Sequence, residues 1–321
     1  MLHNSQKDFL KRHIGPSSED QNKMLKELNY KSLDDLIKST VPEKIQLKDE
    51  LNIGESNSEY EALRKLKAIS KKNQIYSNFI GMGYYGTYTP YVILRNILEN
   101  PGWYTSYTPY QPEVAQGRLE MLLNFQQMIV DFTGMDIANA SLLDEGTAAA
   151  EAMGLSYRLN KKDSNLVFVS ENCHPQTIDV IQTRAEPMGL KVLVGNEDEV
   201  LDQLKEDLVC GILQYPGTLG DIKDPSEAIS KIHKKNGKAI LACDLLALAK
   251  LKTPRELGAD IAVGSSQRFG IPMGYGGPHA AFFATKDEYK RSMPGRIVGV
   301  SVDRHGNKAY RLSLQTREQH I

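Results

Sequence analysis

The chain has 321 residues, of which 40% are hydrophobic and 25% are charged, close to the usage of an average globular protein. This length favours about two domains, and the composition argues against a disordered, collagen-like or coiled-coil protein. The 39 basic and 40 acidic residues give a net charge of -1, which offers no support for nucleic-acid binding.

Membrane insertion and export are not indicated either. No run of about 18 apolar residues predicts a membrane-spanning helix. Residues 1–8 contain neither an apolar signal core nor an Arg-rich leader, so we expect a cytoplasmic protein. The three cysteines are far apart and form no CxxC pair, which favours a reducing compartment and argues against a zinc knuckle. They are Cys173, Cys210 and Cys243.

Residues 1–75 are polar and have the pattern of short helices. Ser17 and Ser32 are predicted to begin two of them, and residues 58–73 form a third with a Lys-rich face. We therefore expect a helical N-terminal segment over residues 1–75, followed by one large domain over residues 76–321.

Residues 81–112 are rich in Gly, Tyr, Thr and Pro, which predicts loops around a helix at residues 91–99. A long amphipathic helix is predicted over residues 113–132, where Leu, Phe, Met and Ile recur at helical spacing. This helix leads into the most regular part of the chain.

From about residue 137 onward, short apolar runs alternate with helical patterns. The predicted strands are 137–143, 165–170, 190–194, 209–214, 238–243, 260–264 and 279–284. The predicted helices between them include 146–159, 175–187, 197–206 and 225–236. Such alternation is typical of an α/β fold with a mostly parallel sheet. Ligands in these folds bind at the carboxyl ends of the strands, so the loops there are where we expect a site.

One motif matches the GxGxxG fingerprint of dinucleotide-binding folds, namely Gly81-Met82-Gly83-Tyr84-Tyr85-Gly86. The fingerprint requires a strand before it and a helix directly after it, whereas a proline-interrupted loop follows here. The sequence therefore predicts a loop that carries Tyr84 and Tyr85, either as part of a site or as a surface loop with stacked tyrosines.

Two loops after predicted strands are candidates for ligand contacts. Asp144 precedes a small-residue helix whose start, at Gly146 and Thr147, exposes N–H groups that attract phosphate. Taken alone, this pattern favours an ordinary helix cap. His174 follows the strand at residues 165–170 and either lies against a flat ligand ring or caps the next helix.

The most informative pair is Asp244, at the end of one predicted strand, and Gln267, just after the next. An aspartate and a lysine in these two places are the layout of pyridoxal-phosphate enzymes of the aspartate aminotransferase type. The aspartate keeps the pyridine nitrogen protonated, and the lysine amine forms a Schiff base. Gln267 stands in the place of the lysine, and an amide cannot form that bond. Lys252 and Lys286 lie in the wrong elements to replace it.

Nine longer motifs extend over the chain. They occupy residues 9–16, 79–85, 103–111, 116–120, 144–148, 244–248, 264–270, 293–296 and 314–321. Together they resemble the glycine cleavage system P-protein family, the decarboxylating glycine dehydrogenases. The resemblance runs from about residue 7 to the end, and its motifs are long and specific.

Members of this family are either one long chain of two homologous halves or two separate subunits, and the reactive lysine belongs to the second half. The resemblance implies that this chain is the first half. Its implied fold is the large domain of a type I, aspartate aminotransferase-like pyridoxal-phosphate transferase. We also expect a chain that stops early, without the C-terminal small domain of its relatives.

The resemblance also implies roles for residues already singled out. Gly146 and Thr147 match the phosphate position, His174 the ring-stacking position and Asp244 the pyridine-nitrogen position. These cofactor-binding positions would be vestigial in a half that carries Gln267 instead of lysine. No metal site is implied.

The implied activity is oxidative decarboxylation of glycine, with transfer of the aminomethyl group to the lipoyl group of H-protein. Pyridoxal 5'-phosphate would be bound covalently by the second half or second subunit, so the isolated chain should be inactive. The loop at residues 81–85 would reach that partner's active site, which makes Tyr84 and Tyr85 the catalytic candidates. Nucleic acid and membrane are not expected as partners.

Two other interpretations stay open on the sequence. One is a non-catalytic structural or regulatory subunit without bound cofactor. The other is an independent enzyme that uses Asp244 and His174 with another cofactor. Gln267 is compatible with the first. Neither a metal-ligand spacing nor a nucleophile triad supports the second.

Overall fold

The computed structural model describes most of the chain. It covers residues 13, 15–47, 49, 51–54, 57–104, 108–160, 163–274 and 276–314. The chain divides into two compact units, Met1–Ser77 and Asn78–Ile321. The motifs at residues 9–16, 103–111 and 314–321 lie partly outside the described residues.

The described part of the first unit contains helices begun by serine residues. They are α1 (Ser18–Glu27), α2 (Leu33–Thr40) and α3 (Glu59–Ser70), with a 3₁₀ turn at Glu43–Ile45. The Ser17 hydroxyl accepts a hydrogen bond from the Asp20 amide, and the Asp20 carboxylate accepts one from the Ser17 amide. Ser58 and Glu61 form the same reciprocal pair before α3. These pairs satisfy N–H groups that a helix start leaves open, and the starts predicted at Ser17 and Ser32 are confirmed.

The second unit is built around a seven-stranded sheet. Its strands are β1 (Ile137–Ala138), β2 (Leu166–Ser170), β3 (Lys191–Gly195), β4 (Cys210–Tyr215), β5 (Lys238–Cys243), β6 (Ile261–Ser265) and β7 (Ala281–Thr285). Their spatial order is β1-β7-β6-β5-β4-β2-β3. The neighbours from β3 to β6 are parallel, whereas β7 is antiparallel to both β6 and β1. The mostly parallel α/β sheet predicted from the sequence is confirmed.

Helices precede the first strand and lie between the later ones. They are α4 (Tyr91–Ile93), α5 (Pro101–Tyr104), α6 (Gln116–Thr133), α7 (Glu145–Leu159), α8 (Pro175–Ala185), α9 (Glu197–Gln203), α10 (Ser226–Lys234) and α11 (Leu245–Leu248). A π-helix at Leu94–Leu98 continues α4, and 3₁₀ turns lie at Pro112–Val114, Glu186–Met188, Gln267–Phe269 and Asp287–Ser292. None of the helices in the described ranges is long and apolar enough to cross a membrane.

The central strands are buried on both faces. Phe168 of β2 belongs to a core cluster with residues of α6, α9 and α10, whereas Val167 and Val169 belong to a second cluster with residues of α7 and α8. Two-sided burial explains why the strands appear in the sequence as nearly unbroken apolar runs. It also fixes the register, because a shift by one residue would exchange the two clusters.

Two predicted boundaries differ from the structure. The strand predicted over residues 137–143 is interrupted after Ala138, because the Ala140 amide donates to the Arg296 carbonyl (2.7 Å), and only an isolated bridge from Leu142 to Ala281 of β7 follows. The helix predicted over residues 113–132 begins at Gln116, after a separate 3₁₀ turn.

The sequence-based prediction also lacks a two-stranded antiparallel hairpin, formed by β8 (Ile297–Val302) and β9 (Lys308–Leu314). The Asp303 carboxylate closes its turn by accepting hydrogen bonds from the amides of His305 and Asn307, both at 2.8 Å. Alternating apolar residues followed by a Gly-containing turn are the sequence signal for such a hairpin.

Parallel strands bring the loops after them to one edge of the sheet. The strands β2, β4, β5 and β6 end at Ser170, Tyr215, Cys243 and Ser265. The loops that follow them share a common space at this carboxyl edge.

Candidate functional site

Most of the predicted site residues meet at the carboxyl edge, around two small cavities with shared walls. Their volumes are about 20 Å³ and about 30 Å³. The predicted residues that line one or both cavities are Tyr84, Tyr85, Gly146, His174, Asp244 and Gln267. Thr147 lines neither cavity.

Helix α7 begins at this edge, and the side chain of its own capping residue accepts a hydrogen bond from the first turn. The Asp144 carboxylate accepts a hydrogen bond from the Thr147 amide at 3.1 Å, and Glu145 stands beside it. Two acidic side chains thus occupy the positively polarised end of the helix. Gly146 packs closely on α8, since a Cβ there would lie 3.3 Å from the Val180 side chain. The structure contains the ordinary helix cap, and phosphate binding at Gly146 and Thr147 stays a prediction.

Glu145, which is partly buried, and His174, which is buried, are two ionisable groups that line both cavities. Burial raises the pKa of Glu145 to about 7, and the side chain is 14% exposed. Burial lowers the pKa of His174 to about 4, against the opposing effect of Asp244. The His174 Nε2 lies 3.8 Å from the Glu145 Oε1, too far for a hydrogen bond. Between these two pKa values both groups are neutral, so the contact is not an ion pair.

Asp244 holds an arginine instead of being free for a ligand. The Arg268 Nε donates to the Asp244 Oδ1 at 3.0 Å, and the Arg268 Nη2 donates to the Asp244 Oδ2 at 2.9 Å. The Asp244 Oδ1 also accepts a hydrogen bond from the Leu246 amide at the start of α11. Bidentate pairing of this kind is the strongest geometry that arginine and carboxylate adopt.

Gln267 is buried and makes an ordinary structural contact. Its side-chain Nε2 donates to the Pro278 carbonyl at 3.0 Å, and its backbone N–H donates to the Ser265 hydroxyl at 3.2 Å. Lys286 does not reach this site, because its Nζ binds Asp260 at the amino end of β6.

The loop that carries the two tyrosines lies against this chain's own cavities. Tyr84 is 43% exposed and stands edge-on to His279, with ring centroids 6.0 Å apart. Tyr85 lies under the Arg268 guanidinium, whose carbon is 4.2 Å from the ring centroid. The Gln176 Nε2 donates to the Met82 carbonyl at 2.7 Å. Contact of this loop with a partner's active site stays a prediction.

The residues at this edge do not fit a pyridoxal phosphate molecule in this conformation. Cavities of about 20 and 30 Å³ hold one or two water-sized molecules, not a substituted ring with its phosphate. The oxygens of Asp244 are paired with Arg268, and the side-chain amide of Gln267, just after β6, cannot form a Schiff base. Within the described ranges, no group of His, Cys, Asp or Glu side chains is arranged to bind a metal ion.

Three residues that matter here were not among the predicted site residues: Glu145, Arg268 and Gln176. Two of them adjoin predicted positions, since Glu145 precedes Gly146 and Arg268 follows Gln267. Their position next to predicted site residues is the only indication of a site role that the sequence offers for these two. Their contacts depend on turn geometry that periodicity does not give.

The sheet order and the position of Asp244 and Gln267 at its carboxyl edge define the large domain of a type I pyridoxal-phosphate transferase fold. A sphingosine-1-phosphate lyase of Burkholderia pseudomallei shares the fold, with a TM-score of 0.59 at 12% identity over 83% of this chain and 66% of that one. The likeness is much greater to a solved glycine decarboxylase (P-protein) of the glycine cleavage system, in inhibitor-bound form. There the TM-score is 0.86 at 34% identity, over 95% of this chain and 70% of that chain.

The family model described as "Glycine cleavage system P-protein" matches residues 11–321, so the chain belongs to this family. The glycine dehydrogenase (decarboxylating) of Pelagibacter ubique is 85% identical over all 321 residues, which are 33% of that protein. The one from a Nostoc species is 59% identical over 98% of this chain and 32% of its own length. The chain thus spans about a third of the length of these relatives.

Proposed function

We propose that this chain is the first, supporting half of a glycine decarboxylase. The lysine-bearing partner half would carry out the oxidative decarboxylation of glycine and pass the aminomethyl group to the lipoyl group of H-protein. Relatives named glycine dehydrogenase (decarboxylating), up to 85% identical to this chain, support the reaction. Gln267, which stands in the turn just after β6 where the resemblance places the reactive lysine, carries the assignment to the supporting half.

In this proposal, pyridoxal 5'-phosphate is bound by the partner half and supplies the electron sink of the reaction there. This chain contributes no covalent bond to it, because a glutamine amide does not condense with an aldehyde. The contact of Gln267 with the Pro278 carbonyl supports a structural role for this position.

The loop of residues 81–85 is the part of this chain that we assign to the partner's active site. Tyr84 is the more exposed of the two tyrosines, whereas Tyr85 is held against Arg268. Tyr84 is therefore the better placed to reach a second chain, with Tyr85 anchoring the loop behind it.

A second candidate is a structural or regulatory subunit without any role at the active site. The small volume of the two cavities, about 20 and 30 Å³, favours it. The two functions differ in what the loop does. If the chain only supports assembly, the tyrosine hydroxyls are irrelevant to turnover.

Loop substitutions in the complete P-protein distinguish the two functions. Tyr84→Phe removes one hydroxyl and keeps the ring, and a hydrogen bond worth about 1 kcal/mol in the transition state corresponds to roughly fivefold in kcat. We expect a loss of at least that size for Tyr84→Phe and a smaller one for Tyr85→Phe. The measurement is release of labelled carbon dioxide from carboxyl-labelled glycine in the presence of lipoylated H-protein.

Unchanged turnover in both variants would remove the loop from the mechanism and favour the structural subunit. The assignment to the supporting half has its own test, which is the site of borohydride reduction. A pyridoxyl group recovered on a peptide spanning residues 260–275 would contradict it.

We also propose a cytoplasmic location. The cysteines Cys173, Cys210 and Cys243 are unpaired, which suits a reducing compartment.

A further inference from the structure

The Asp244 carboxylate at the carboxyl edge has a permanent cationic partner within this chain. Both of its oxygens accept hydrogen bonds from Arg268, and the two side chains are only 18% and 19% exposed. A protonated pyridine nitrogen would need one of the same oxygens. Arg268 therefore supplies, from the protein, the flat cationic group that this aspartate would otherwise find in a cofactor ring.

Arg268 also connects this pair to the loop above it. Its guanidinium carbon lies 4.2 Å from the centroid of the Tyr85 ring, within the range of a cation–π contact. The loop is fixed on either side of Tyr85 as well. The Thr87 hydroxyl donates to the Ile271 carbonyl at 2.7 Å, and Gln176 donates to the Met82 carbonyl at 2.7 Å.

The loop covers His174 with its backbone. Gly83 lies so close that a Cβ on it would be 2.9 Å from the His174 Cδ2 and 3.1 Å from its Nε2. Its φ of +84° is a conformation that residues with a Cβ rarely adopt. Gly83 is thus packed against the Cδ2–Nε2 side of the imidazole, where a residue with a Cβ would not easily fit.

We propose that Arg268 closes this pocket from within: paired with Asp244 and stacked on Tyr85, it holds the loop of residues 81–87 over His174 and excludes a flat cofactor ring. Loss of the lysine is then only one of two barriers to cofactor binding in this half. Arg268 acts through Tyr85 and is a positioning residue for the loop. This inference goes beyond the proposed function and does not depend on turnover.

The accessibility of His174 measures whether the loop is closed. Because burial lowers its pKa to about 4, the imidazole is neutral near neutral pH and able to react with diethyl pyrocarbonate once it is accessible, but in this structure it is only 3% exposed. We expect Arg268→Ala in the complete protein to raise the rate of His174 carbethoxylation at least tenfold, measured by mass spectrometry of the modified peptide. Exposed His305 is the internal reference and should react equally in both proteins.

A matched control is Arg255→Ala, which removes another Arg–Asp pair, with Asp136, from the same unit. It should leave the rate at His174 unchanged. Tyr85→Ala should open the loop as Arg268→Ala does, whereas Tyr85→Phe keeps the ring and should restore protection. Cys210 is buried at the amino end of β4, away from the loop, so its resistance to alkylation shows that a variant is still folded.

An unchanged rate at His174 in folded Arg268→Ala protein would overturn the proposal. A second test restores the amine. A borohydride-reducible pyridoxyl group on residue 267 should be at least tenfold more abundant in the double variant Gln267→Lys, Arg268→Ala than in Gln267→Lys alone. Equal labelling of the two would show that the pocket is not closed by Arg268.

Discussion

The pKa values of Glu145 and His174, which lie at the same edge of the sheet, are shifted in opposite directions. Both are buried, and burial acts against the charged form of each, raising one pKa and lowering the other. Their neutral forms therefore lie against each other with no ion pair. A carboxyl group with a pKa near neutrality makes the stability of the folded chain depend on pH.

Substitution Glu145→Gln removes this dependence. The pKa of Glu145 is about 7 when folded and 4.5 in its ordinary range. Its contribution to stability is thus fully present below pH 4.5 and is lost as the pH rises through 7. We expect the free energy of unfolding of the wild type, relative to the variant, to fall by roughly 1–3 kcal/mol between about pH 5 and about pH 8. Denaturant unfolding of both proteins at the two pH values measures it.

The lowered pKa of His174 also makes stability depend on pH, but it acts in both proteins and cancels in the difference. His174 contributes stability above its ordinary pKa of 6.5, and this contribution is lost as the pH falls through 4. A wild-type-to-variant difference that does not change with pH would mean that Glu145 is ionised in the folded chain at neutral pH.

The sequence predicts which residues converge at the site, but not what they contact there. Asp244 and Gln267 were expected at one edge because each follows a strand of a parallel sheet. Gln267 and Arg268 share a 3₁₀ turn with three residues per turn, so neighbouring side chains point about 120° apart. One of them meets Pro278 and the other meets Asp244. This choice depends on backbone dihedrals that residue types do not determine.

Strands were the easiest elements to predict from the sequence, because a strand buried on both faces is a short unbroken apolar run. The run at residues 238–243 matches β5 at both ends. The length of β1 was overestimated, since its pairing with β7 is interrupted where the Ala140 amide donates to Arg296, and only an isolated bridge at Leu142 follows. Where a strand ends depends on which distant carbonyl is available, and the sequence does not show that.

Glycines inside two central strands offer a test of packing at the level of the element. A Cβ on Gly264 of β6 would lie 2.1 Å from the Cys243 carbonyl oxygen and 2.7 Å from the Phe282 ring. A Cβ on Gly211 of β4 would lie 2.4 Å from the Cδ1 of Ile232, the end of a side chain. Backbone in a sheet cannot move aside as a side-chain methyl group can.

We expect Gly264→Ala to lower the free energy of unfolding by about 3 kcal/mol or more, and Gly211→Ala by about 1–2 kcal/mol. Each variant is the control for the other, because both add one methyl group to a buried parallel strand. Denaturant unfolding of the two variants gives the comparison. Equal costs would mean that β5 and β6 separate more easily than their packing suggests.

At the scale of the whole molecule, the site belongs to the second unit. Its parts come from the loop at residues 81–90, the start of α7 and the loops after β2, β5 and β6. Such a site exists only when the sheet is complete, because no two of these segments are neighbours in sequence.

The three thiols report on that structure as a whole. Cys173, Cys210 and Cys243 lie beside β2, in β4 and in β5, and each is fully buried. Burial also raises the pKa of every one of these thiols, so neither access nor ionisation favours reaction. We expect that N-ethylmaleimide labels none of the three in the folded protein at about pH 8, and all three after denaturation.

Peptide mapping across a denaturant series should give the three thiols one common midpoint, the same as that of the circular dichroism signal. A common midpoint is expected because Cys210 and Cys243 stand on neighbouring parallel strands and Cys173 follows β2, the next strand, and because the two core clusters around these strands unfold together. Rapid labelling of Cys173 alone would instead mean that the carboxyl edge opens separately from the sheet beneath it. In that case the loop over His174 would be a weaker cover than its contacts indicate.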